Sequence, residues 1–402
     1  MRNDELEVND KHLPLRIIGF ALAFIVAVSA FAVAVTSLGH KETGYYEITA
    51  PADDETPRYA SGLSFLYYLE GSSSQIKREL TQLQTDYGSA LKRSYMLLDA
   101  ENRYEGLNNL ASLNQSPGQA LELDDRLFAV LQDAAARSAR QEGYSLYAGP
   151  LYAEWNSILW AFEPRDYDPL FNEEEAGRLQ ALAEAVNSPG AIQLTVTDEE
   201  KRMLRLDVAP DTLALLREQE RETVILDLNL LHDAYLLRLT AEILAQQGYT
   251  RGYLSTDSGL TLSLSGHSGG AYALYGLNGA GEILPAATAE AAPGSACSQL
   301  RAFPYEEGEI GYYSVESGGR SYLRHPNVPA AGEYANALLS SAVLSEHGDV
   351  VEACYQNLVL FSLPDGAAVE QTVAARGLNA AWTLQSGGAV HCTGAFRPTG
   401  DN

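Results

Sequence analysis

The stretch from Val224 to Gly259 constrains the fold more than any other part of the chain. It reads VILDLNLLHDAYLLRLTAEILAQQGYTRGYLSTDSG and has the pattern of a strand, a helix and a second strand. The short apolar run Val224–Leu228 predicts a buried strand. Apolar residues at helical spacing predict a helix over Asp233–Gln247, and Gly248 ends it. The chain therefore contains a unit in which strands and a helix pack together.

Polar side chains stand where this strand meets the helix. They are Asn229, His232 and Asp233. We interpret these positions as part of a site. Their residue types leave open whether the protein is an enzyme or an enzyme fold without catalytic activity.

Helical and strand patterns alternate through the rest of the chain. Amphipathic or capped helices are predicted over Ser73–Leu98, 124–143, 173–186, 333–346 and 365–376. Hairpins are predicted over 191–207 and across Ser386–Gly388. We find no internal repeat. This mixture predicts an α+β domain.

The charge of the chain excludes one class of partner. Its 402 residues carry a formal net charge of −26. Nucleic-acid binding requires clustered Lys and Arg to neutralise phosphates, so we expect no nucleic-acid partner.

An apolar run near the N-terminus predicts a membrane anchor. Ile17–Val35 contains no charged residue, and its length matches a bilayer core of about 30 Å. Lys11 and Arg16 precede the run, which predicts a cytoplasmic N-terminus and an extracytoplasmic C-terminal part. A cleaved signal segment ending near AVTSLG is the alternative.

These features predict an order of segments along the chain. We expect a cytoplasmic tail at 1–16, a single-pass anchor at 17–36, a polar linker at 37–60 and one domain at 61–397. The predicted location is the cell membrane, with the domain outside the cytoplasm.

The cysteines do not form a recognisable metal-binding or redox motif. Cys297, Cys354 and Cys392 lack CxxC spacing. Free buried thiols and a single disulfide formed outside the cell both remain open.

Four stretches, in order, resemble the FAD:protein FMN transferase (ApbE-type) family. They are LASLNQSPGQALELDDRLFAVLQDAAARSARQEGYSLYAGPL, the opening stretch above, SYLRHPNVPAAGEYANALLSSAVLSEHGDVVEACYQNLVLF and GLNAAWTLQSGGAVHCTGAF. Together they cover most of residues 105–396. The third is similar to a family segment with a strand followed by a metal-binding helix. The resemblance implies an α+β FMN-transferase-like domain.

The resemblance also implies cofactors and a target. Members of the family bind FAD and use Mg²⁺ to transfer FMN to a Thr of a target flavoprotein. The metal-ligand positions of the family fall on Glu352 and Gln356. The two are four residues apart, so both face one side of a helix.

At the nucleotide positions this sequence departs from the family. Asn229 and Leu230 replace a Gly-Gly pair, and Asp233 replaces a Lys that meets phosphate. Asp257 keeps the acid of a following turn, so the resemblance gives Asp233 and Asp257 as the catalytic positions. A carboxylate repels a diphosphate, so we expect impaired catalysis.

The remaining matched positions concern the flavin. By resemblance Tyr147, Asn229, His232, Tyr322 and His325 are the cofactor-binding candidates. Two functions follow. One is a divergent, membrane-anchored FMN transferase of impaired activity. The alternative is a catalytically inactive fold of this type that serves as a flavin-binding or scaffolding module at the cell envelope.

Overall fold

The structure is a computed structural model. It describes residues 41–51, 62–266, 270–278, 280–335 and 337–399. The predicted anchor at 17–36 and part of the linker lie outside the described residues. Within the described part, the helices lack an apolar stretch long enough to span a bilayer.

Helices and strands alternate along the described chain. The helices are α1 Ser73–Leu98, α2 Leu110–Asn114, α3 Asp125–Ser138, α4 Gly149–Leu159, α5 Glu173–Asn187, α6 Pro210–Glu218, α7 His232–Gln246, α8 Val350–Phe361 and α9 Gly366–Arg376. The strands are β1 Gly44–Ile48, β2 Leu63–Leu69, β3 Ala120–Glu122, β4 Ile192–Asp198, β5 Met203–Val208, β6 Gly252–Thr256, β7 Leu260–Ser263, β8 Ala271–Leu277, β9 Ile283–Glu290, β10 Ala296–Arg301, β11 Tyr313–Ser317, β12 Arg320–Arg324, β13 Leu338–Ser345, β14 Asn379–Leu384, β15 His391–Cys392 and β16 Arg397–Pro398.

One large sheet organises these elements. Its strand order in the described residues is β1-β2-β6-β7-β10-β13-β14-β15, and the pairs from β2 to β15 are antiparallel. Smaller sheets are formed by β11-β12, by β16-β9-β8 and by β3-β5-β4. The mixed helix and strand composition confirms the α+β prediction at this level.

The described residues divide into two compact units. One contains residues 41–44 and 69–82, and the other contains residues 45–51, 62–68 and most of 83–399. Every candidate site residue belongs to the second unit.

Most local predictions are confirmed. Helix α1 has the predicted bounds, and the hairpin of β4 and β5 pairs in antiparallel register. Helix α3 begins after Asp124, whose side chain accepts a hydrogen bond from the backbone of Arg126. Local spacing and capping residues were sufficient for these elements.

The helix predicted over 333–346 is wrong. Residues Leu338–Ser345 form strand β13, which pairs with β10 on one side and β14 on the other. Ala and Leu are frequent in helices, but pairing with two neighbouring strands overrides that preference here.

The strand predicted over Val224–Leu228 is also wrong, although Ile225, Leu226 and Leu228 are buried. The amide group of Asn114 takes the place of a neighbouring strand. It accepts from the Leu226 N–H at 2.7 Å and donates to the Leu226 carbonyl at 2.9 Å. This segment therefore belongs to no sheet of the described residues.

Helix α8 lies at the centre of the second unit. Its residues are buried except Glu352, and the side chain of Asn357 contacts both neighbouring strands. That side chain donates to the Ser298 carbonyl at 3.0 Å and accepts from the Ser341 hydroxyl. These contacts fix the helix against β10 and β13 and so set the positions of Glu352 and Gln356.

Candidate functional site

The side chain of Glu352 is held by two donors. Asp349 caps helix α8 and accepts from the Glu352 backbone N–H at 2.9 Å. Oε2 of Glu352 accepts from Arg137 Nη1 at 2.5 Å, and Oε1 accepts from Gln356 Nε2 at 2.5 Å. Burial acts to raise the pKa of Glu352, but the hydrogen bonds from Gln356 and Arg137 outweigh it and lower the pKa.

Gln356 is held from the other side by a second arginine. Its Oε1 accepts from Arg376 Nη1 at 2.8 Å. Arg376 Nη2 also donates to Glu142 Oε1 at 2.6 Å, and the hydroxyl of Tyr355 donates to Glu142 Oε2 at 2.8 Å. We call the group Arg137, Glu352, Gln356, Arg376 and Glu142 the arginine network.

Helix α3 connects this network to helix α7. Arg137 Nε donates to Asp133 Oδ1 at 3.2 Å, and the hydroxyl of Tyr235 donates to Asp133 Oδ2 at 3.0 Å. The side chain of Arg137 is only 7 % exposed. The guanidinium group therefore lies buried between carboxylates of two helices.

The start of helix α7 holds a second cluster of polar residues. Oδ1 of Asp233 lies 3.1 Å from His232 Nδ1, and Oδ2 accepts from the Ser258 hydroxyl at 2.6 Å. Burial acts to raise the pKa of Asp233, but His232 and Ser258 outweigh it and lower the pKa. For His232, the nearby carboxylates outweigh burial and raise the pKa.

The backbone before this helix has an unusual conformation. Asn229 has φ +37°, a region that L-residues adopt rarely and Asn more readily than most. Its N–H donates to Asp227 Oδ1 at 2.7 Å.

The two clusters meet at Cys354. Its Sγ donates to the Leu230 carbonyl at 3.3 Å. Burial raises the pKa of the thiol to about 12, and Asp233 adds to the increase while Arg137 opposes it. Helix α8 therefore contacts the turn before helix α7 through this thiol. Within the described part, Cys297, Cys354 and Cys392 are free cysteines.

A cavity of about 1310 Å³ lies among helices α3, α4 and α5 and strand β12. We call it the tyrosine cavity; its aromatic and cationic lining consists of Tyr144, Tyr147, Trp155, Tyr322, Arg324 and Tyr334. The cavity contains Tyr147 and Tyr322, two of the candidates predicted to bind cofactor.

The approach of two backbone segments positions Tyr147 in this cavity. Gly149 begins helix α4 beside the segment Val224–Leu228, and a Cβ at this position would lie 2.5 Å from the Val224 carbonyl oxygen. Only glycine allows this approach. On the same segment, the Asp227 N–H donates to the Leu146 carbonyl at 2.9 Å.

Two donors in the lining have no hydrogen-bond partner within the described residues. They are Trp155 Nε1 and the Tyr144 hydroxyl, and their side chains are 2 % and 1 % exposed. A buried donor without a partner costs about 1–3 kcal/mol. Both atoms are covered by surrounding protein atoms, so a ligand in the cavity does not reach them without movement of the lining.

The charges of the cavity do not favour phosphate. Arg324 is neutralised by Asp168, whose oxygens lie 2.8 and 3.3 Å from the guanidinium nitrogens. Glu184 and Glu333 also line the cavity. An uncharged, planar ligand matches this lining better than an anion.

Sequence searches and structure searches differ in what they find. No protein-family model matches the sequence, and no curated protein matches it. Solved structures do match. The ApbE protein of Thermotoga maritima is 14% identical with a TM-score of 0.57, over 87% of this chain and 97% of that chain.

Two further structures agree with it. The flavin transferase ApbE from Vibrio cholerae is 13% identical with a TM-score of 0.57, over 88% of this chain and 98% of that one. The flavinyl transferase ApbE of Pseudomonas stutzeri is 14% identical with a TM-score of 0.54, over 89% and 96%. This chain has the ApbE fold.

Within this ApbE fold, Glu352 and Gln356 do not fit a magnesium site. Mg²⁺ requires several oxygen ligands in octahedral geometry. Both oxygens of Glu352 and the Gln356 oxygen already accept from donors, two of them cationic. In the described part, no cluster of three or more His, Cys, Asp or Glu side chains is placed to bind a metal.

Among the described residues, the side chains of Asp257 and His325 make no hydrogen bond to these groups. Asp257 is exposed, and its N–H donates to the Gly62 carbonyl at 2.8 Å. His325 is buried against Tyr334 and Phe361, with ring centroids 4.9 and 5.6 Å away. Burial, reinforced by Arg324, lowers the pKa of His325 to about 3. His325 does not line the tyrosine cavity, so its role as a flavin ligand remains a prediction.

The sequence analysis missed seven residues of the arginine network and the tyrosine cavity. They are Arg137, Glu142, Arg376, Tyr144, Trp155, Arg324 and Tyr334. The only signal in the sequence was that Arg137 follows Asp133 by one helical turn, which is common on solvent-exposed helices.

Proposed function

We propose that this ApbE-fold protein binds the ring system of a flavin in the tyrosine cavity and has lost efficient FMN transfer. The aromatic lining of this cavity carries the proposal. An isoalloxazine ring is planar and has carbonyl oxygens and ring nitrogens along one edge.

The rings in the lining support the same ligand. Trp155 and Tyr334 are perpendicular, with centroids 5.0 Å apart, and Tyr147 and Tyr322 contribute further aromatic surface. Aromatic side chains stack on planar ligands with offset or edge-to-face geometry. Because the acidic residues and the neutralised Arg324 disfavour phosphate, we propose that the ring, and not the phosphate, provides the binding energy.

The loss of transfer is supported by the two polar clusters. Phosphoryl-transfer chemistry depends on positioning and on cations that stabilise the departing phosphate. The resemblance implies a Lys at position 233, but Asp233 places a negative charge there. Its carboxylate contacts His232 and accepts a hydrogen bond from Ser258. One carboxylate oxygen of Glu352 and the amide oxygen of Gln356 accept from arginines, and the other Glu352 oxygen accepts from Gln356. We therefore prefer a flavin-binding role over an FMN transferase.

A flavin titration tests the binding. The full-length protein is titrated with riboflavin, FMN and FAD while tryptophan fluorescence is recorded. We expect quenching by all three with similar affinity, and Trp155→Phe should weaken it. Trp160→Phe is the control, because Trp160 is 66% exposed and does not line the cavity. Absence of quenching by any flavin would refute the proposal.

A transfer assay tests the loss of activity. The protein is incubated with FAD, Mg²⁺ and a Thr-containing acceptor peptide, and the peptide mass is measured. We expect no added FMN. Efficient transfer that disappears in Glu352→Ala would establish a working transferase and overturn this part of the proposal.

We also propose that residues 17–36 anchor the protein in the membrane with the domain outside the cytoplasm. The support is the uncharged run Ile17–Val35. Membrane fractionation and external protease treatment of intact cells test it. Recovery of the full-length chain in the cytosol would contradict the anchor, and a mature N-terminus near Ser37 would favour a signal segment.

A further inference from the structure

The resemblance implies a metal ion at the position of the arginine network. Without a metal, other groups must hold the surrounding helices together. The network contains acceptors on helix α8 and donors on helices α3 and α9. Two carboxylates facing each other across helices repel unless a cation lies between them. Here the cations belong to the chain itself.

The acceptor oxygens of the arginine network already have hydrogen-bond donors. Arg137 bridges Asp133 and Glu352, at 3.2 and 2.5 Å. Arg376 bridges Gln356 and Glu142, at 2.8 and 2.6 Å. Each carboxylate oxygen of Glu352 and Glu142 has a donor. A metal ion would have to displace these donors to reach the oxygens.

Arginine is suited to this position. Its guanidinium group remains charged and offers several donors in one plane, so it can hold two acceptors at once. The aromatic ring of Tyr355 adds to the arrangement, because the guanidinium carbon of Arg137 lies 5.1 Å from its centroid. Cation–π contacts of this kind are favourable when they are partly buried.

We propose that Arg137 and Arg376 replace a divalent cation in this ApbE fold. The two guanidinium groups hold Glu352, Gln356 and Glu142 in place, so the protein needs no metal at this position and binds none there. This proposal does not depend on flavin binding, which concerns the tyrosine cavity.

Metal binding is tested directly on the unmodified protein. Full-length protein is titrated with Mn²⁺, and the electron paramagnetic resonance signal of free Mn²⁺ is followed. We expect the signal of free Mn²⁺ to keep its full intensity at every protein concentration, up to millimolar metal. A bound fraction that disappears in Glu352→Gln would overturn the proposal.

The role of the arginine is tested by thermal unfolding. Arg137→Met removes the buried cation, and Arg217→Met is the matched control because Arg217 is exposed on α6. We expect Arg137→Met to lower the melting temperature by several degrees and Arg217→Met to leave it unchanged. Equal melting temperatures would overturn the proposal, as would stabilisation of the unmodified protein by Mg²⁺ that an equal ionic strength of NaCl does not reproduce.

The Mn²⁺ titration does not depend on the folding of any variant. Arg137→Lys adds a conservative comparison, since it keeps the charge but loses the planar pair of donors. We expect its melting temperature to lie between those of the unmodified protein and Arg137→Met. A melting temperature as low as that of Arg137→Met would mean that the positive charge contributes nothing to stability at this position, and would overturn the proposal that a cation is replaced.

Discussion

Arg137 Nη1 lies 2.5 Å from Glu352 Oε2, although the two residues are 215 positions apart in the chain. Glu352 is the residue for which resemblance implies a metal ligand. The contact therefore determines whether the site resembles the family in chemistry or only in fold. A side-chain cation is permanent, whereas a metal ion exchanges with solvent, and this difference leads to measurable consequences.

The first prediction concerns acid stability. The pKa of Glu352 is lowered in the folded protein, so its contribution to stability is present above the unfolded pKa of about 4.3 and is lost as pH falls through the folded pKa. We expect urea unfolding to show a gap between the unmodified protein and Glu352→Gln at neutral pH that narrows in acid. A gap that stays constant with pH would contradict this.

The second prediction concerns His232, whose pKa is raised mainly by Asp233 against the effect of burial. The stability gained from the charged imidazole is fully present below the unfolded pKa of about 6.5 and is lost as pH rises through the folded pKa. We expect an NMR titration to show a lower His232 pKa in Asp233→Asn than in the unmodified protein. Glu242→Gln, on the same helix α7, is the control and should leave that pKa unchanged.

The third prediction separates the flavin ring from its phosphates. Asp233→Lys replaces an anion by a cation where the resemblance places a diphosphate. We expect FAD affinity to rise roughly tenfold, which corresponds to about 1.4 kcal/mol, while riboflavin affinity stays constant. Isothermal titration with both flavins measures this. An equal gain for riboflavin would show that the effect is not electrostatic, and Asp211→Lys on α6 controls for net charge.

The fourth prediction concerns the segment Val224–Leu228. Asn114 bonds both backbone groups of Leu226, so Asn114→Ala leaves a buried donor and acceptor unpaired. We expect a loss of about 2–3 kcal/mol in the free energy of unfolding, with faster hydrogen exchange at Leu226 and Asp227. Asn156→Ala, at an exposed position of α4, should change neither.

Much of the fold could be predicted from local pattern. Helix α1, the β4–β5 hairpin and helix α9 depend on periodicity, caps and turn residues that lie within each segment. Where pattern failed at Leu338–Ser345, the resemblance had implied a strand followed by a helix, and β13 and α8 have that order. The order of strand and helix implied by the resemblance therefore predicted this segment better than the helix preferences of its residues.

The sequence by itself determined most of the helices and hairpins, the net negative charge and the uncharged run at 17–35. Only the tertiary structure decided which side chains meet. It brought Arg137 to Glu352 and Arg376 to Gln356, and it placed Trp155 in the lining of a cavity. The physical reason is that periodicity records which side of an element is buried, whereas the partner of a buried charge is set by how distant elements pack.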